Sequence, residues 1–585
     1  MCGIAGVMTR SGKPPDMSVL RKLATALAHR GPDGERIHVS GNTGLVHRRL
    51  AIIDLEGGHQ PLFRRDGTSL VANGEIYNDL QLRASLGNRA VYSTGSDSES
   101  ILSVYDPDDA AFVDRLRGMY AFALHDPTRE TLTLARDPFG IKPLYVARGP
   151  FGVAFASEGS ALVAAGFVSG AEDMTATSKL LELQFPSGQH PPIAGIERLP
   201  PGAVWTIKNG DIVRREGLPF WRRRLSPPTR GGDALKTFDQ VFTQSVELHL
   251  RSDVPYGLFL SGGIDSAAVL AAMVRTTSEP VRAFTAYFPG SDAADERERA
   301  KAAAKSVGAV HVEVAVTEQD FWQHLPQIAA AMDDPVADYA IIPSWLLARE
   351  ARKSVTVVLS GEGGDELFAG YGRYRSAIAP WPLTKPMWRR GKFFGAGLLR
   401  TPVAWRSDLD AVEAQLQDGS ALQRAQRLDM AEWLPNDLLT KLDRCLMAHG
   451  IEGRVPFLDV EVASFALGLP DEQKLNGRFG KWLLRNWVAE HMPAAQALAP
   501  KQGFTVPVEQ WIARRGRPLG ELLARNEAIA ALCHPDAVKH AFSNPSQEKR
   551  AGAATWTLLF YALWHRAHIE RKSVGGNVMD VLAAR

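Results

Sequence analysis

The chain of 585 residues contains only three cysteines, Cys2, Cys445 and Cys533. They are too few and too scattered for a disulfide framework or a paired CxxC zinc site, and a reducing cytoplasm is the expected setting. Long apolar runs are missing as well. The start, MCGIAGVM, is too short for a secretory signal, and Trp556–Trp564 falls well short of the roughly 20 residues that span a bilayer. Charge of one sign is equally scarce. A formal net charge of +2 offers no global attraction to nucleic acid or to an anionic membrane. No repeat or low-complexity tract appears. With 45% hydrophobic and 23% charged residues, the composition is that of a soluble globular enzyme too long for one ordinary core.

Two regions differ in pattern. Up to about residue 210, short alternating or apolar runs recur (GIAGVM, TGLVHRRLAIID, TSLVANGEIYN, YAFALHD, TLTLARD, LYVAR, VAFAS), broken by Gly, Pro and Asp. They predict an α+β domain of antiparallel strands with one or two helices, such as 18–28. Residues 211–233, charged and rich in Pro and Gly, read as a linker. From 234 to 585 helices alternate with the buried-looking runs YGLFLSG, VRAFTAYF, VHVEVAV and VTVVLSG. That rhythm predicts an α/β domain with a parallel sheet, ligands at the strand C-termini and a helical C-terminal part.

Cys2 directly follows Met1, and its small side chain favours removal of that methionine. The exposed residue then carries a thiol and an α-amine together, and the amine can take the thiol proton for attack on an amide carbonyl. Four loops at the ends of apolar runs supply what a glutamine site requires: RGPDG, HRRLAIID, NGEIYN and TGSDSE. Arg49 can fork onto an α-carboxylate, and Asp97 or Glu75 can hold an α-ammonium. Asn73 with the Gly74 N–H can form an oxyanion hole.

These motifs, with ARDPFGIKPLY, resemble the N-terminal-nucleophile glutamine amidotransferase domain of the asparagine synthetase B family. The resemblance implies a four-layer αββα sandwich over residues 1–210. Further along, SGGIDS (Ser261–Ser266) lies between an apolar strand and a helix, a setting in which backbone N–H groups cradle phosphate. No GK[ST] follows, so it is not a Walker A loop. It resembles the pyrophosphate loop of ATP pyrophosphatases. LSGEGGDELFAGY (Leu359–Tyr371) matches the same synthetase family and packs three carboxylates into five residues, which repel one another unless a cation or a substrate ammonium sits there.

The nucleotide site implied by these two loops comprises Leu260, Ser261, Gly262, Gly263, Asp265, Ser266, Ser360 and Gly361. The family resemblance assigns Asp265 and Asp365 to Mg²⁺, Glu362 to the incoming amine, and Lys481 to the charge on an adenylate transition state. PKQGFTVP (Pro500–Pro507) is the family's C-terminal signature. DRCLMAHGIEGRVPFLD (Asp443–Asp459) departs from the pattern DRxSMxxSxExRxPFLD, with Cys445 for the usual small residue, Leu446 and Gly450 for Ser and Gly453 for the usual Val. DDPVADYAIIPSW keeps Asp333, Asp334 and Asp338 but carries Ala340 for Ser.

The resemblance implies glutamine, L-aspartate and ATP as substrates, with asparagine, glutamate, AMP and pyrophosphate as products, in a homodimer. The alternative is the same chemistry on another carboxylate: a sugar acid, a peptide or a ring-closing amide. An inactive scaffold would be marked by loss of Cys2, Arg49, Asp265, Glu362 or Lys481. All five are present.

Overall fold

A computed structural model describes residues 2–223, 234–290, 296–380, 382–401, 403–499, 505–543 and 551–584. The first domain begins with strands β1 (Gly3–Thr9), β2 (Gly34–Ser40), β3 (Thr43–Arg49), β4 (Leu62–Phe63), β5 (Ser69–Ile76) and β6 (Gly118–Asp126). It continues with β7 (Thr131–Arg136), β8 (Tyr145–Gly149), β9 (Gly152–Ala156), β10 (Ile196–Arg198), β11 (Val204–Lys208) and β12 (Asp211–Glu216). They form two six-stranded sheets, ordered β10-β8-β9-β1-β3-β2 and β12-β11-β7-β6-β5-β4.

Period-two alternation decides which side chains meet between the sheets. In β1, Ile4 and Met8 join the inter-sheet core, with Ala121 and Ala123 of β6 opposite. Ala5 and Val7 face the other way, into the cluster holding Leu20 and Leu23 of the helix Met17–Ala26. Tyr120, Phe122 and Leu124 of β6 likewise turn outward onto Ile101 and Leu102 of the helix Glu99–Val104. The result is the expected αββα sandwich. All three cysteines are free and buried.

Two expectations need correction. The first domain contains five α-helices of 6 to 10 residues, more than the one or two expected. Helices this short fall below the window over which 3.6-residue periodicity shows itself. The segment 211–233 does not begin as a linker either. Asp211–Glu216 is strand β12, paired antiparallel with β11. Its charge reflects an edge strand with exposed side chains, so the sheet extends past residue 210. Residues 224–233 lie outside the described ones.

The second domain carries a parallel sheet of β13 (Tyr256–Phe259), β14 (Arg282–Tyr287), β15 (Val310–Ala315), β16 (Val357–Leu359) and β17 (Glu452–Arg454), in the order β15-β14-β13-β16-β17. The strand order reverses at β13, so the loops after β13 and β16 open a crevice at their C-terminal ends. Both loops carry motifs singled out above. Strand β17 was not anticipated, because three residues inside a polar motif give no strand pattern.

Packing behind β17 accounts for two departures from the family pattern. A Cβ on Gly453 would lie 2.9 Å from Cδ2 of Leu446 and 3.4 Å from Cδ2 of Leu442. Leu446 therefore fills the volume a valine at 453 would take, and the two exchanges compensate each other. Gly453→Val alone is expected to cost about 1–3 kcal/mol through overpacking. Adding Leu446→Ser should recover most of that loss. Thermal denaturation of the single and double variants checks it, and additive destabilisation would contradict the compensation.

Candidate active sites

Cys2 stands immediately before β1, whose pairing with β3 and β9 fixes its position. Its N–H donates to Asn73 Oδ1 at 3.0 Å, and its Sγ lies 3.9 Å from the Leu50 carbonyl. Burial pushes the thiol above its ordinary range. Asn73 is wholly buried, and its Nδ2 has no hydrogen-bond partner. A buried unsatisfied donor costs about 1–3 kcal/mol, so this N–H is a site waiting for an acceptor. At Gly74 a Cβ would lie 2.1 Å from the Met119 carbonyl. Only glycine lets β5 lie this close to β6 at that point.

The cavity around Cys2 is also lined by Arg49, Gly74, Glu75 and Asp97, so the structure brings these expected residues together with Asn73. Arg49 is anchored by the Leu55 and Asp54 carbonyls at 2.8 and 2.6 Å. It forms no ion pair with a carboxylate among the described residues. Asp97 accepts from the Ile76 N–H at 2.6 Å, yet burial raises it to about 6. Burial and the nearby Asp97 push Glu75 well above its usual range, and its Oε1 has no partner. The lining also includes residues that were not foreseen, such as Gly58 and Gln60 and, from β17 of the second domain, Glu452. No spacing rule connects position 452 with position 2.

The second site lies in a cleft of about 350 Å³ lined by Gly262, Gly263, Asp265 and Lys481. The loop Ser261–Ser266 is braced internally: Ser266 Oγ accepts from the Ser261 N–H at 3.1 Å, and Ser261 Oγ from the Gly263 N–H at 3.1 Å. The Gly262 N–H is held by the Glu296 carboxylate at 3.1 Å, an anionic acceptor on the loop. Lys481 bridges both expected metal ligands, 2.5 Å from Asp265 and 2.7 Å from Asp365. Burial pulls its ammonium down, but the two carboxylates outweigh that and hold it above its ordinary value. The Lys481 backbone is left-handed, with φ of 57°, an unfavourable conformation that persists where the surroundings demand it. Gly370 permits the contact, since a Cβ there would lie 1.8 Å from Asp365 and 2.1 Å from Lys481 Cε.

Leu260 does not face the cleft. It is buried, with its N–H on the Phe284 carbonyl and its carbonyl on Thr285 Oγ1. Ser360 is mostly buried, with its N–H on the Arg454 carbonyl at 2.9 Å. Gly361 packs on Asp265, where a Cβ would lie 2.8 Å from the aspartate's own. Burial raises Glu362, which lies 3.7 Å from Lys441. Lys441 also pairs with Asp338 at 2.8 Å. Asp437, fully buried nearby with neither oxygen hydrogen-bonded, is raised well above its usual range by burial and by Asp338. The arginines Arg299, Arg375, Arg478 and Arg485 line the cleft and were missed. Residues 500–504 of the C-terminal signature lie outside the described residues.

Two family descriptions match the chain: glutamine amidotransferase domain over residues 1–221 and asparagine synthase over residues 237–566. The chain belongs to the asparagine synthase family. A relative from Mycobacterium tuberculosis is 35% identical over 95% of both chains. The glutamine-hydrolysing asparagine synthetase 1 of Bacillus subtilis is 31% identical over 98% of both. Asparagine synthetase B of Escherichia coli is 29% identical over 86% of this chain and 82% of its own.

The raised Asp97 has a measurable consequence. An ammonium needs the ionised carboxylate, and kcat/KM reports the free enzyme. With glutamine as substrate, kcat/KM is therefore expected to fall as pH drops through about 6. Asp97→Asn should lower kcat/KM at neutral pH and remove that limb. An unchanged acid limb in the variant would exclude Asp97 as its origin.

Proposed function

We propose that the protein is a glutamine-hydrolysing asparagine synthetase that joins ammonia from glutamine to the side-chain carboxylate of L-aspartate at the expense of ATP. The observation that carries the reading is the pairing in one chain of two sites. Asn73 presents an unsatisfied N–H beside Cys2, while Lys481 gathers Asp265 and Asp365 at the strand ends of the other domain.

In the first site, once Met1 is removed, the nitrogen now 3.0 Å from Asn73 Oδ1 becomes an α-amine. It takes the thiol proton, which burial would otherwise hold on sulfur. The thiolate adds to the glutamine side-chain carbonyl, and Asn73 Nδ2 with the Gly74 N–H receives the oxyanion. The protonated amine returns its proton to the leaving nitrogen, ammonia departs, and water hydrolyses the thioester to glutamate. Arg49 binds the substrate's α-carboxylate, while Asp97 and Glu75 hold its α-ammonium.

In the second site, the aspartate carboxylate attacks the α-phosphorus of ATP and pyrophosphate leaves. Lys481 offsets the added negative charge. Ammonia then attacks the acyl carbon, AMP leaves, and Glu362 accepts the surplus proton. The residues fit a magnesium ion: Asp265 and Asp365 already converge on one cation, and magnesium favours one or two carboxylates plus phosphate oxygens. When bound, it would neutralise phosphate charge.

The acceptor is supported by the cluster around Lys441, where Asp338, Glu362 and the unpaired Asp437 give an excess of carboxylates suited to an α-ammonium. A sugar acid offers no cation there. An acceptor screen with pyrophosphate release as readout should show glutamine-dependent turnover with L-aspartate, and silence with aspartate would overturn the assignment. Cys2→Ala should abolish glutamine use while ammonia still supports synthesis. Loss of both together would contradict two separate sites.

A further inference from the structure

Lys474 has no exposed surface, and among the described residues it forms no ion pair. A lysine is almost never buried in this way without a carboxylate. It ends the short helix Asp471–Lys474, and its Nζ donates to the Leu467 carbonyl at 3.2 Å and to Gln426 Oε1 at 3.1 Å. Gln426, on the helix Ala421–Leu428, is equally buried. Its Nε2 donates to the Glu366 and Leu367 carbonyls, each at 2.7 Å. One buried amide thus ties Lys474 to the two residues that follow Asp365.

Lys474 leads directly into the hairpin of β18 (Leu475–Asn476) and β19 (Phe479–Gly480), which delivers Lys481 to the cleft. On the return, the Lys481 N–H donates to the Phe368 carbonyl at 2.9 Å. Three successive carbonyls after Asp365 are therefore held, two by Gln426 and one by Lys481. The contacts close a ring that runs from Lys474 through the hairpin to Lys481, across to Phe368, and back through Leu367 and Gln426. Beside it the chain is strained. Ala369 and Lys481 both adopt left-handed φ, 59° and 57°, and a Cβ on Gly480 would lie 2.4 Å from the Ala369 carbonyl. Such conformations persist only where the surroundings over-determine them, and the ring supplies that determination. Lys474 and Gln426 themselves line neither the cleft nor the cavity around Cys2.

We propose that Lys474 and Gln426 are positioning residues for the ATP-consuming step, a buried brace that sets the Lys481 ammonium between Asp265 and Asp365. The inference rests on the synthetase chemistry assigned to that cleft. The two acceptors around Lys474 match the two N–H groups of a neutral amine. An ammonium carries a third, which would be buried without a partner. Of the charges facing it, Asp471 on its own helix favours the ammonium and Arg427 on the Gln426 helix opposes it. Burial outweighs both and brings Lys474 down to about 7. Above that pH the brace is complete, and below it the added proton loosens it.

The test follows aspartate-dependent exchange of labelled pyrophosphate into ATP, which reports adenylation without ammonia, in the full chain. Wild type is compared with Lys474→Met, which removes the amine, and with Gln426→Glu, which keeps the shape but turns an oxygen toward the two carbonyls. Glutamate release from glutamine without ATP is measured alongside. Exchange should fall about tenfold or more in both variants, since a misplacement near 1 Å can cost about a hundredfold. Glutamate release, at a distant site, should stay within about twofold of wild type. Wild-type exchange should drop as pH falls through about 7, and Lys474→Met, slower throughout, should lack that limb. If Lys474→Met does not fold, Gln426→Glu decides by the size of its loss. Exchange within about twofold of wild type in a folded variant, or an acid limb retained in Lys474→Met, would overturn the brace. So would a parallel fall in glutamate release, which marks a merely structural role. A wild type without any aspartate-dependent exchange would instead overturn the synthetase assignment, and the brace with it.

Discussion

Arg30 has no exposed surface, and its guanidinium must find all its partners inside the protein. It finds Glu158 in its own domain at 2.9 Å and both oxygens of Asp443 in the other, at 2.7 and 2.9 Å. Burial pushes Asp443 up, but Arg30 and Arg444 outweigh it and hold the carboxyl down to about 2. The same pattern repeats along the domain boundary. Arg198 forks onto Asp334 with both distances at 2.6 Å, Arg117 binds Asp459 at 2.7 and 2.9 Å, and Arg444 reaches Asp333 and the Tyr145 hydroxyl. Arg30, Arg117 and Arg198 are expensive to bury and are tolerated because a carboxylate is supplied across the boundary. Arg444 instead has its carboxylate, Asp333, in its own domain and takes the Tyr145 hydroxyl from the other. Losing one member leaves the other stranded, at about 3–5 kcal/mol. The two sites keep their relative position because neither domain can satisfy these charges alone.

That ionic seam also sets how much of the molecule was legible in the sequence. Cys2 and Arg49 sit at strand ends, Asn73 within β5 and Asp97 just before the helix Glu99–Val104, all in one domain and in recognisable motifs, so the pocket could be read from the chain. The loops after β13 and β16 were legible for the same reason, as Gly-rich turns following apolar runs. Glu452 and the cleft arginines were not. Arg375 and Arg485 bind carbonyls of nearby loops, a use of charge that leaves no periodic trace. The linker was misread because an edge strand with charged outer faces has the composition of a loop. Leu446 and Gly453 looked like two unrelated losses from the family pattern until their side-chain volumes were placed against each other.

The second site is sorted by the sign of its charge. At the end formed by the Ser261–Ser266 loop, the lining carries Arg299, Arg375, Arg478, Arg485 and Lys481. Among the described residues none of the four arginines is paired with a carboxylate. At the other end Asp338, Glu362 and Asp437 surround the Lys441 ammonium, with Lys392 also near Asp338 and Asp437. Asp265, Asp365 and Lys481 form the junction. A polyphosphate is favoured at the first end and repelled at the second, and the reverse holds for a group bearing an ammonium. A substrate carrying both an ammonium and a reactive carboxylate is therefore oriented with its carboxylate toward the phosphates before any short-range contact forms. Glu362 stands where the two fields meet, with burial and its acidic neighbours raising it and Lys441 opposing them. A carboxyl in that balance changes protonation with small changes in local charge, as the role proposed for it during ammonia attack would require.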